Sequence, residues 1–474
     1  MGKPTGFLEY ARQGNHCQPP LERVAYWNEF HPRLGREERQ RQGARGMACG
    51  VPFCQSGAVL NGMVSGCPLH NLVPEWNDLV YRRKLGRALE RLLKTNDFPE
   101  FTGRVCPALC EAACTCGLNG QPVTVKDNEL GIIEEAWEQG LMSPRPPETR
   151  TGRTVAVVGS GPASLTCASD LAKHGYEVTI FEAFHTAGGV LVYGIPEFRL
   201  PKAIVQNEVD KLTALGVDLE TDMVIGKTFD IDEMFEEGYE AVFIGSGAGL
   251  PMFMGIEGET LAGVYSANEY LTRINLMKAY QEGSETPILH NKKVAVVGGG
   301  NVAMDAARCA KRLGAEVHIV YRRSEAELPA RAEEVHHAKE EGIIFDLLTN
   351  PISIEGDEKG HVQSMTCIRM ELGEPDASGR RRPVEIPGSD YTIDVDAVIM
   401  SLGTSPNPLI SSTTEGLETN RWKCIIADEA NGKTTKEGVY AGGDAVTGAA
   451  TVILAMEAGR AGARGIDEYL NGNK

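Results

Sequence analysis

The sequence predicts an α/β fold in which two similar nucleotide-binding units follow a cysteine-rich amino-terminal segment. From Arg153 onward, β-branched runs end in glycine turns and lead into Ala-rich helical patterns, as in α/β units with parallel sheets. Two of these units begin alike, with TVAVVGSG at 154–161 and KVAVVGGG at 293–300. Seven of the twelve cysteines lie between residues 49 and 116. Each of these features predicts a separate part of the molecule.

Length and composition indicate a multidomain globular protein. The 474 residues exceed the roughly 250–300 residues of a single core, so two or three domains are expected. The net charge of −18 argues against a broad nucleic-acid surface. No run approaches the roughly 18 apolar residues of a membrane span. The first residues lack the apolar core of a signal peptide, so a cytoplasmic location without membrane contact is predicted.

Composition shifts divide the chain into four segments. The turn-rich stretch SPRPPETRTG at 143–152 ends the first segment, 1–150. The first nucleotide-binding domain is predicted at 151–285 and the second at 286–395. Later strand-then-glycine patterns at 395–407 and 438–448 predict that residues 396–474 return to the first domain.

The first unit predicts a dinucleotide site without a 2′-phosphate. Gly159, Gly161 and Ser164 occupy the three positions of G-x-G-x-x-G between a buried strand and a helix, which is the Rossmann arrangement. Glu182 ends the next strand, where a carboxylate accepts the ribose hydroxyls and repels a 2′-phosphate. The alternative is a tight turn with a surface glutamate.

Two glycine-rich segments favour FAD over NAD at this site. The stretch at 187–196, with Gly188 and Gly189, resembles a flavin-contacting segment of the glutathione-reductase-like superfamily. So does GGD at 442–444, with Gly443 and Asp444. The resemblance implies that Asp444 holds the ribityl chain.

The second unit predicts an NADPH site. Arg322 and Arg323 follow the strand VHIVY, and guanidinium groups bind a 2′-phosphate through paired, charge-assisted hydrogen bonds. The alternative is a solvated charge cluster, and Arg331 is a possible third contact. The residues predicted to bind this cofactor are Gly298, Gly300, Asn301, Ala303, Arg322 and Arg323. With one site of each type, hydride transfer between the cofactors needs no catalytic side chain.

The clustered cysteines predict an iron-sulfur outlet for the electrons. No C-x-x-C pair, the outlet of thioredoxin-reductase-type enzymes, occurs in the sequence. Zinc is the alternative, but the spacings lack paired C-x2-C knuckles, and zinc carries no electrons. The remaining cysteines are predicted to be small buried apolar residues: Cys17, Cys167, Cys309, Cys367 and Cys424.

Several motifs together resemble the family of small (beta) subunits of NADPH-dependent glutamate synthase. They are MGKPTGFLEY, GVPFC, SGCPLHNLVPEWNDLVY, GRVCPALCEAAC, GSGPAS, YGIPEFRLPK and GGGNVAMD, which span essentially the whole chain. The same architecture is that of the large subunit of electron-bifurcating NADH-dependent ferredoxin:NADP oxidoreductase, of sulfide dehydrogenase and of the amino-terminal half of dihydropyrimidine dehydrogenase.

The resemblance implies a mainly helical domain at 1–150 with two 4Fe-4S clusters. Cys54, Cys67, Cys106 and Glu129 are expected to hold one cluster, and Cys49, Cys110 and Cys114 the other. The family pattern ARCMDCG reads ARGMACG here, with Gly46 in a ligand position. The alternatives for that cluster are three ligands, recruitment of Cys116, an exogenous ligand, or an empty site, and an altered cluster is expected.

The resemblance also implies a function. NADPH is expected to reduce FAD, and the electrons are expected to pass through the clusters to a large (alpha) subunit that makes glutamate from glutamine and 2-oxoglutarate. One alternative is the NADPH-binding large subunit of a bifurcating ferredoxin:NADP oxidoreductase. Another is a redox-sensing flavoprotein without turnover.

Overall fold

The cysteine-rich domain is built from short helices. The computed structural model describes residues 3–47, 49–60, 63–376, 379 and 381–472. Proline occupies the first turn of three helices, where its missing N–H removes a donor that has no intrahelical partner. The helices are α1 (Gly6–Glu9), α2 (Pro20–Arg23), α3 (Arg36–Ala44), α4 (Val73–Tyr81), α5 (Leu85–Leu93), α6 (Pro99–Val105), α7 (Leu109–Ala112) and α8 (Val125–Glu138), with an antiparallel hairpin of β1 (Ala58–Leu60) and β2 (Met63–Ser65). The predicted mainly helical domain is confirmed.

The first nucleotide-binding domain contains a five-stranded parallel sheet. Its central strand is almost fully buried, because helices cover both faces of a parallel sheet. In sheet order the strands are β18 (Val439–Ala441), β6 (Ala241–Ile244), β3 (Thr154–Val158), β4 (Glu177–Phe181) and β5 (Val217–Glu220). Because β18 lies near the carboxyl end of the chain, the chain does return to this sheet.

The second nucleotide-binding domain repeats this arrangement. Its parallel strands, in sheet order, are β11 (Ile344–Leu347), β10 (Glu316–Tyr321), β9 (Lys293–Val297), β16 (Ala397–Met400) and β8 (Val264–Ser266). An antiparallel sheet is appended, with strands β12 (Thr349–Gly356), β13 (Val362–Pro375), β14 (Arg381–Glu385) and β15 (Tyr391–Asp394). Strands β7 (Leu250–Pro251) and β17 (Thr404–Ser405) pair where the chain crosses between the domains. The predicted α/β fold with two Rossmann-like domains is confirmed.

Strand pairing moves both predicted boundaries of the second domain outward. β8 ends before residue 286 and β16 begins after residue 395, yet both belong to the second sheet. The sequence marks β16 as a buried strand, but an apolar run does not reveal which of two parallel sheets it joins. The assignment of all of 151–285 and 396–474 to the first domain therefore needs correction.

Helices connect the strands of both domains. They are α9 (Pro162–Lys173), α10 (Val190–Tyr193), α11 (Lys202–Ala214), α12 (Ile231–Glu236), α13 (Ala267–Asn275), α14 (Asn301–Arg312), α15 (Ala332–Glu340), α16 (Leu409–Thr413), α17 (Asp444–Thr447) and α18 (Val452–Gly472). Among the described residues, no helix is both long enough and apolar enough to cross a bilayer.

One hydrophobic core joins the cysteine-rich domain to the first nucleotide-binding domain. It includes Trp76 and Phe101 of the helical domain, Val157 of β3 and Ile466 of α18, all without exposed surface. α18 packs against both α9 and α6. The cysteines are thereby held against the first sheet.

Candidate functional site

The first glycine turn leaves an open backbone face at the start of α9. Gly159 has a φ of +87°, and a Cβ there would lie 2.8 Å from the carbonyl oxygen of Gly245. Gly161 is the N-cap of α9, and a Cβ at Gly161 would have no atom within 4 Å. Ser164, at the third position of the motif, is buried, and its hydroxyl donates to the Gly245 carbonyl at 3.4 Å. This hydrogen bond allows a serine at that position. The helix N-terminus is thus free to receive a phosphate.

Glu182 lies beside this turn because of the strand register. Val158 of β3 pairs with Phe181 of β4, and Gly159 and Glu182 follow them. The Glu182 carboxylate is 5% exposed and accepts hydrogen bonds from the backbone N–H groups of Ser160, at 3.0 Å, and Phe184, at 2.8 Å. The Ser160 hydroxyl also donates to it.

The two other predicted flavin segments reach the same turn. The Gly188 N–H donates to the Ser160 hydroxyl at 2.9 Å, and a Cβ at Gly189 would lie 2.8 Å from the Gly161 Cα. Gly443 has a φ of +68°, and a Cβ there would lie 3.0 Å from the Ala163 Cβ. Segments far apart in sequence therefore converge on the first turn of α9.

A cleft of about 440 Å³ runs from this turn toward the second domain. Glu182, Gly189 and Asp444 line it from the first domain. Burial raises the pKa of Asp444 to about 6, although the Ala450 N–H donates to this carboxyl at 3.2 Å. From the second domain, Asn301 and Arg331 line the cleft. The cleft therefore adjoins the N-termini of both α9 and α14.

The second glycine turn repeats the geometry of the first. Gly298 has a φ of +141°, and a Cβ there would lie 2.2 Å from the Ser401 carbonyl oxygen. Gly300 is the N-cap of α14 and its missing Cβ leaves open space, while Ala303 is fully buried. The Asn301 side-chain carbonyl accepts from the Arg331 N–H at 3.0 Å.

Arg322 and Arg323 lie just beyond the position equivalent to Glu182. Val297 pairs with Val320, so the next residue, Tyr321, occupies the position that Glu182 has in the first sheet. The Tyr321 ring packs against the turn at Gly299. Within the described part of the chain, neither Arg322 nor Arg323 forms an ion pair, and the buried Arg323 Nε has no hydrogen-bond partner. In contrast, Arg331 pairs with Glu333. Two guanidinium groups are therefore available to an anion.

One cavity in the helical domain is lined by Cys67, Cys106, Cys110 and Glu129. Burial raises the pKa of Cys67 to about 12 and that of Cys106 to about 11. Burial also raises the pKa of Glu129 to about 7, even though Thr102 donates a hydrogen bond to it. Buried thiolates are stable when they bind a metal, so this donor set fits an iron-sulfur cluster.

A second cavity is lined by Cys49, Cys54, Cys114 and Cys116, together with Gly46. The grouping of the thiols differs from the expected division of ligands, because Cys54 lines this cavity with Cys49 and Cys114, whereas Cys110 lines the first cavity with Cys67 and Cys106. The Cys67 N–H donates to the Cys54 carbonyl at 2.8 Å, yet the two thiols face different cavities. Four sulfur donors surround this cavity despite the glycine, and they also fit a cluster.

The first cavity adjoins both the cleft and the second cavity. Val105 and Pro107 line the cleft, and Cys106 between them lines the first cavity. Val73 lines both cavities and separates them. The order is cleft, first cavity, second cavity, which suits stepwise electron transfer.

The environment of Cys17 differs from the predicted one. The other four scattered cysteines are buried, as predicted, but Cys17 is exposed and contacts His31 and His337. No local motif indicates this contact, because more than 300 residues separate Cys17 from His337 in the sequence.

Comparison with known proteins identifies the domains in which these residues lie. Residues 153–459 match the family model described as pyridine nucleotide-disulphide oxidoreductase, and residues 23–141 match dihydropyrimidine dehydrogenase domain II, 4Fe-4S cluster. The chain is 38% identical to the glutamate synthase (NADPH) small chain of Bacillus subtilis, over 100% of this chain and 99% of the relative. It is 36% identical to that of Azospirillum brasilense, over 98% and 96%. The solved structure of Mycobacterium tuberculosis FprA in complex with NADPH shares the fold, with a TM-score of 0.56 and 20% identity over 69% of this chain and 85% of that chain.

Proposed function

The chain belongs to the family of glutamate synthase small chains, and from that premise we propose that it oxidises NADPH by way of FAD and delivers the electrons through iron-sulfur clusters to a large subunit. That subunit would make glutamate from glutamine and 2-oxoglutarate. The observation that carries the proposal is the position of Cys106, which lines the first cluster cavity between two residues of the dinucleotide cleft. A cytoplasmic location is part of the proposal.

FAD would be held by the first turn and its neighbours. The N–H groups at the start of α9 would bind the pyrophosphate, and Glu182 would accept the ribose hydroxyls. Asp444, in the same cleft, would bind the ribityl chain. Bound FAD supplies a group that accepts a hydride and releases electrons singly.

NADPH would be held by the second turn. The open start of α14 supports pyrophosphate binding at Gly300. The guanidinium groups of Arg322 and Arg323, which form no ion pair with any described residue, support binding of the 2′-phosphate. No carboxylate stands at the position equivalent to Glu182, where Tyr321 lies instead. These features favour NADPH over NADH.

We assign one 4Fe-4S cluster to Cys67, Cys106, Cys110 and Glu129 and the other to Cys49, Cys54, Cys114 and Cys116. Cys116 would replace the ligand that Gly46 lacks. Cys116 is 5% exposed, its thiol lies beside the Cys114 thiol, and it donates to the Arg45 carbonyl at 3.8 Å. Of the four alternatives for this cluster, these contacts favour recruitment of Cys116.

The large subunit would dock beside the second cluster. Phe53 lines that cavity and is 52% exposed. Other exposed apolar side chains in the same segment are Val51, Val59, Leu60 and Met63. The Ser56 hydroxyl lies 3.0 Å from the Ser65 carbonyl and 2.9 Å from the Phe53 carbonyl, so it links the β1–β2 hairpin to Phe53. Exposed apolar groups of this kind favour contact with a protein partner.

Co-expression with a glutamate synthase large chain tests the proposal. The purified complex should oxidise NADPH only when glutamine and 2-oxoglutarate are both present, and glutamate should form as NADPH is consumed. Variant Phe53→Asp should weaken co-purification, whereas Leu289→Asp, at an exposed leucine next to the second nucleotide-binding sheet, should not. NADPH oxidation that ignores glutamine but requires ferredoxin and a small flavoprotein would instead indicate a bifurcating enzyme. Binding of NADPH without flavin reduction would indicate a sensor.

A further inference from the structure

Three metal-ligating side chains meet where the amino-terminal domain contacts the second nucleotide-binding domain. The Cys17 Sγ lies 3.3 Å from the His31 Nδ1 and 3.6 Å from the His337 Nε2. Ligand atoms of all three residues lie within 4.8 Å of one another. From this geometry we infer that Cys17, His31 and His337 form a Zn²⁺ site, separate from the iron-sulfur cavities.

The two sulfur-to-nitrogen distances match the coordination sphere of zinc. With Zn–S near 2.3 Å and Zn–N near 2.0 Å, a tetrahedral site separates sulfur and nitrogen ligands by about 3.5 Å. Both sulfur-to-nitrogen distances here lie close to that value. Because Cys17 is exposed, water can reach the fourth position. One sulfur and two imidazoles suit zinc better than magnesium or calcium, which prefer oxygen ligands.

Burial favours the neutral form of both histidines, which is the form that binds a metal. Burial lowers the pKa of His31 to about 4, and it lowers the pKa of His337 to the same range with help from the nearby Arg308 charge. The two imidazoles are therefore neutral near pH 7, as ligation requires. The thiol would lose its proton on binding the cation.

The surrounding contacts hold the ligands in place. The Gln18 N–H donates to the Phe30 carbonyl at 3.0 Å, which joins the two ends of the loop that carries Cys17 and His31. Arg23 donates to the His337 carbonyl at 3.3 Å and to the buried Glu341 carboxylate at 2.9 Å. The loop is thereby fixed against α15, which carries His337. Because the protein already orders the three ligands, binding of the ion costs little conformational entropy.

A metal here would join two domains that bear different cofactors. Cys17 and His31 belong to the amino-terminal domain, and His337 belongs to the domain of the second glycine turn. Because the ion binds only the docked arrangement, it would stabilise that arrangement by mass action. The site does not depend on the proposed glutamate synthase function.

Zinc analysis of the full, cluster-loaded and FAD-loaded chain tests this inference. After anaerobic purification from zinc-supplemented cells, the wild type should hold about one zinc per chain by mass spectrometry. Variants Cys17→Ser and His337→Gln should hold less than about one tenth as much, with iron and FAD unchanged. The control His336→Gln alters the neighbouring histidine on α15, whose side chain is 70% exposed, and should keep its zinc. Added zinc should raise the melting temperature of the wild type and of this control, but not of Cys17→Ser.

Several outcomes would overturn the inference. They are a wild type without zinc, a site that takes only copper or nickel, or a Cys17→Ser variant that retains wild-type zinc. The last result would place zinc in an incompletely assembled cluster cavity. Cys17→Ser is a small change at an exposed position, so its result stands even if His337→Gln fails to fold.

Discussion

The Glu182 carboxylate accepts a hydrogen bond from the Ser160 N–H at 3.0 Å, so the acid at the end of β4 also holds the glycine turn at the end of β3. The Phe184 N–H, at 2.8 Å, fixes its other oxygen. The carboxylate is therefore oriented before any dinucleotide enters the cleft. Such preorganisation lowers the entropy cost of binding.

Replacing Glu182 by glutamine should weaken FAD binding. The amide keeps the shape but loses the charge and one acceptor, and a hydrogen bond to a charged group contributes about 1.5–3 kcal/mol, so Kd should rise roughly 10- to 100-fold. Titration of the apoprotein with FAD, followed by flavin fluorescence, measures this change. Glu177→Gln, at the exposed start of the same strand, is the control. Equal Kd values for FAD in the two variants would show that the Glu182 carboxylate does not bind FAD.

Removing the Arg322 and Arg323 guanidinium groups should reduce the preference for NADPH. Loss of charge-assisted bonds to the 2′-phosphate should raise the KM for NADPH about 10- to 100-fold in the double alanine variant. The KM for NADH should hardly change. Steady-state kinetics with an artificial electron acceptor measure both values, with exposed Arg382→Ala as the control. An equal rise in the KM for NADPH and the KM for NADH would argue against a 2′-phosphate contact.

Cys116→Ser should cost the protein one cluster. Iron should fall from about eight to about four atoms per chain, since each 4Fe-4S cluster needs its full ligand set. Colorimetric iron analysis and EPR of the dithionite-reduced protein measure this loss. Cys424→Ser, at a buried cysteine outside both cavities, should keep all the iron. Adding Gly46→Cys to the Cys116→Ser variant should restore the cluster, and an unchanged iron content in Cys116→Ser would show that Cys116 is not a ligand.

Acid should weaken the buried ion pairs around Glu341. Burial disfavours its charge, but Arg308 and Arg312 outweigh burial and hold its pKa at about 2, below the usual 4.5. Because the folded-state pKa is depressed, the stabilisation is complete above pH 4.5 and is lost as pH falls toward 2. The shift corresponds to about 3 kcal/mol. Urea unfolding of the wild type and Glu341→Gln should differ most above pH 5 and converge in acid, and a constant difference would contradict this pKa.

The fold class and the family could be predicted from the sequence because their signals are local. The glycine turns at Gly159 and Gly298, and the residues that follow each second strand, lie within short motifs. The boundaries of the second domain could not be predicted, because Val398 in β16 is as buried as Val157 in β3 and sheet membership depends on tertiary pairing. The grouping of the cysteines, and the meeting of Cys17 with His337, likewise depend on packing between distant segments.

Anaerobic stopped-flow mixing with NADPH, combined with freeze-quench EPR, tests most directly whether electrons pass from the cleft to the cavity at Cys106. The flavin absorbance should bleach first, and a reduced-cluster signal should follow. In Cys106→Ser the bleaching should persist and that signal should be lost. Flavin reduction without any cluster signal in the wild type would contradict electron transfer from the cleft to this cavity, and equally fast bleaching by NADH would contradict the preference for NADPH.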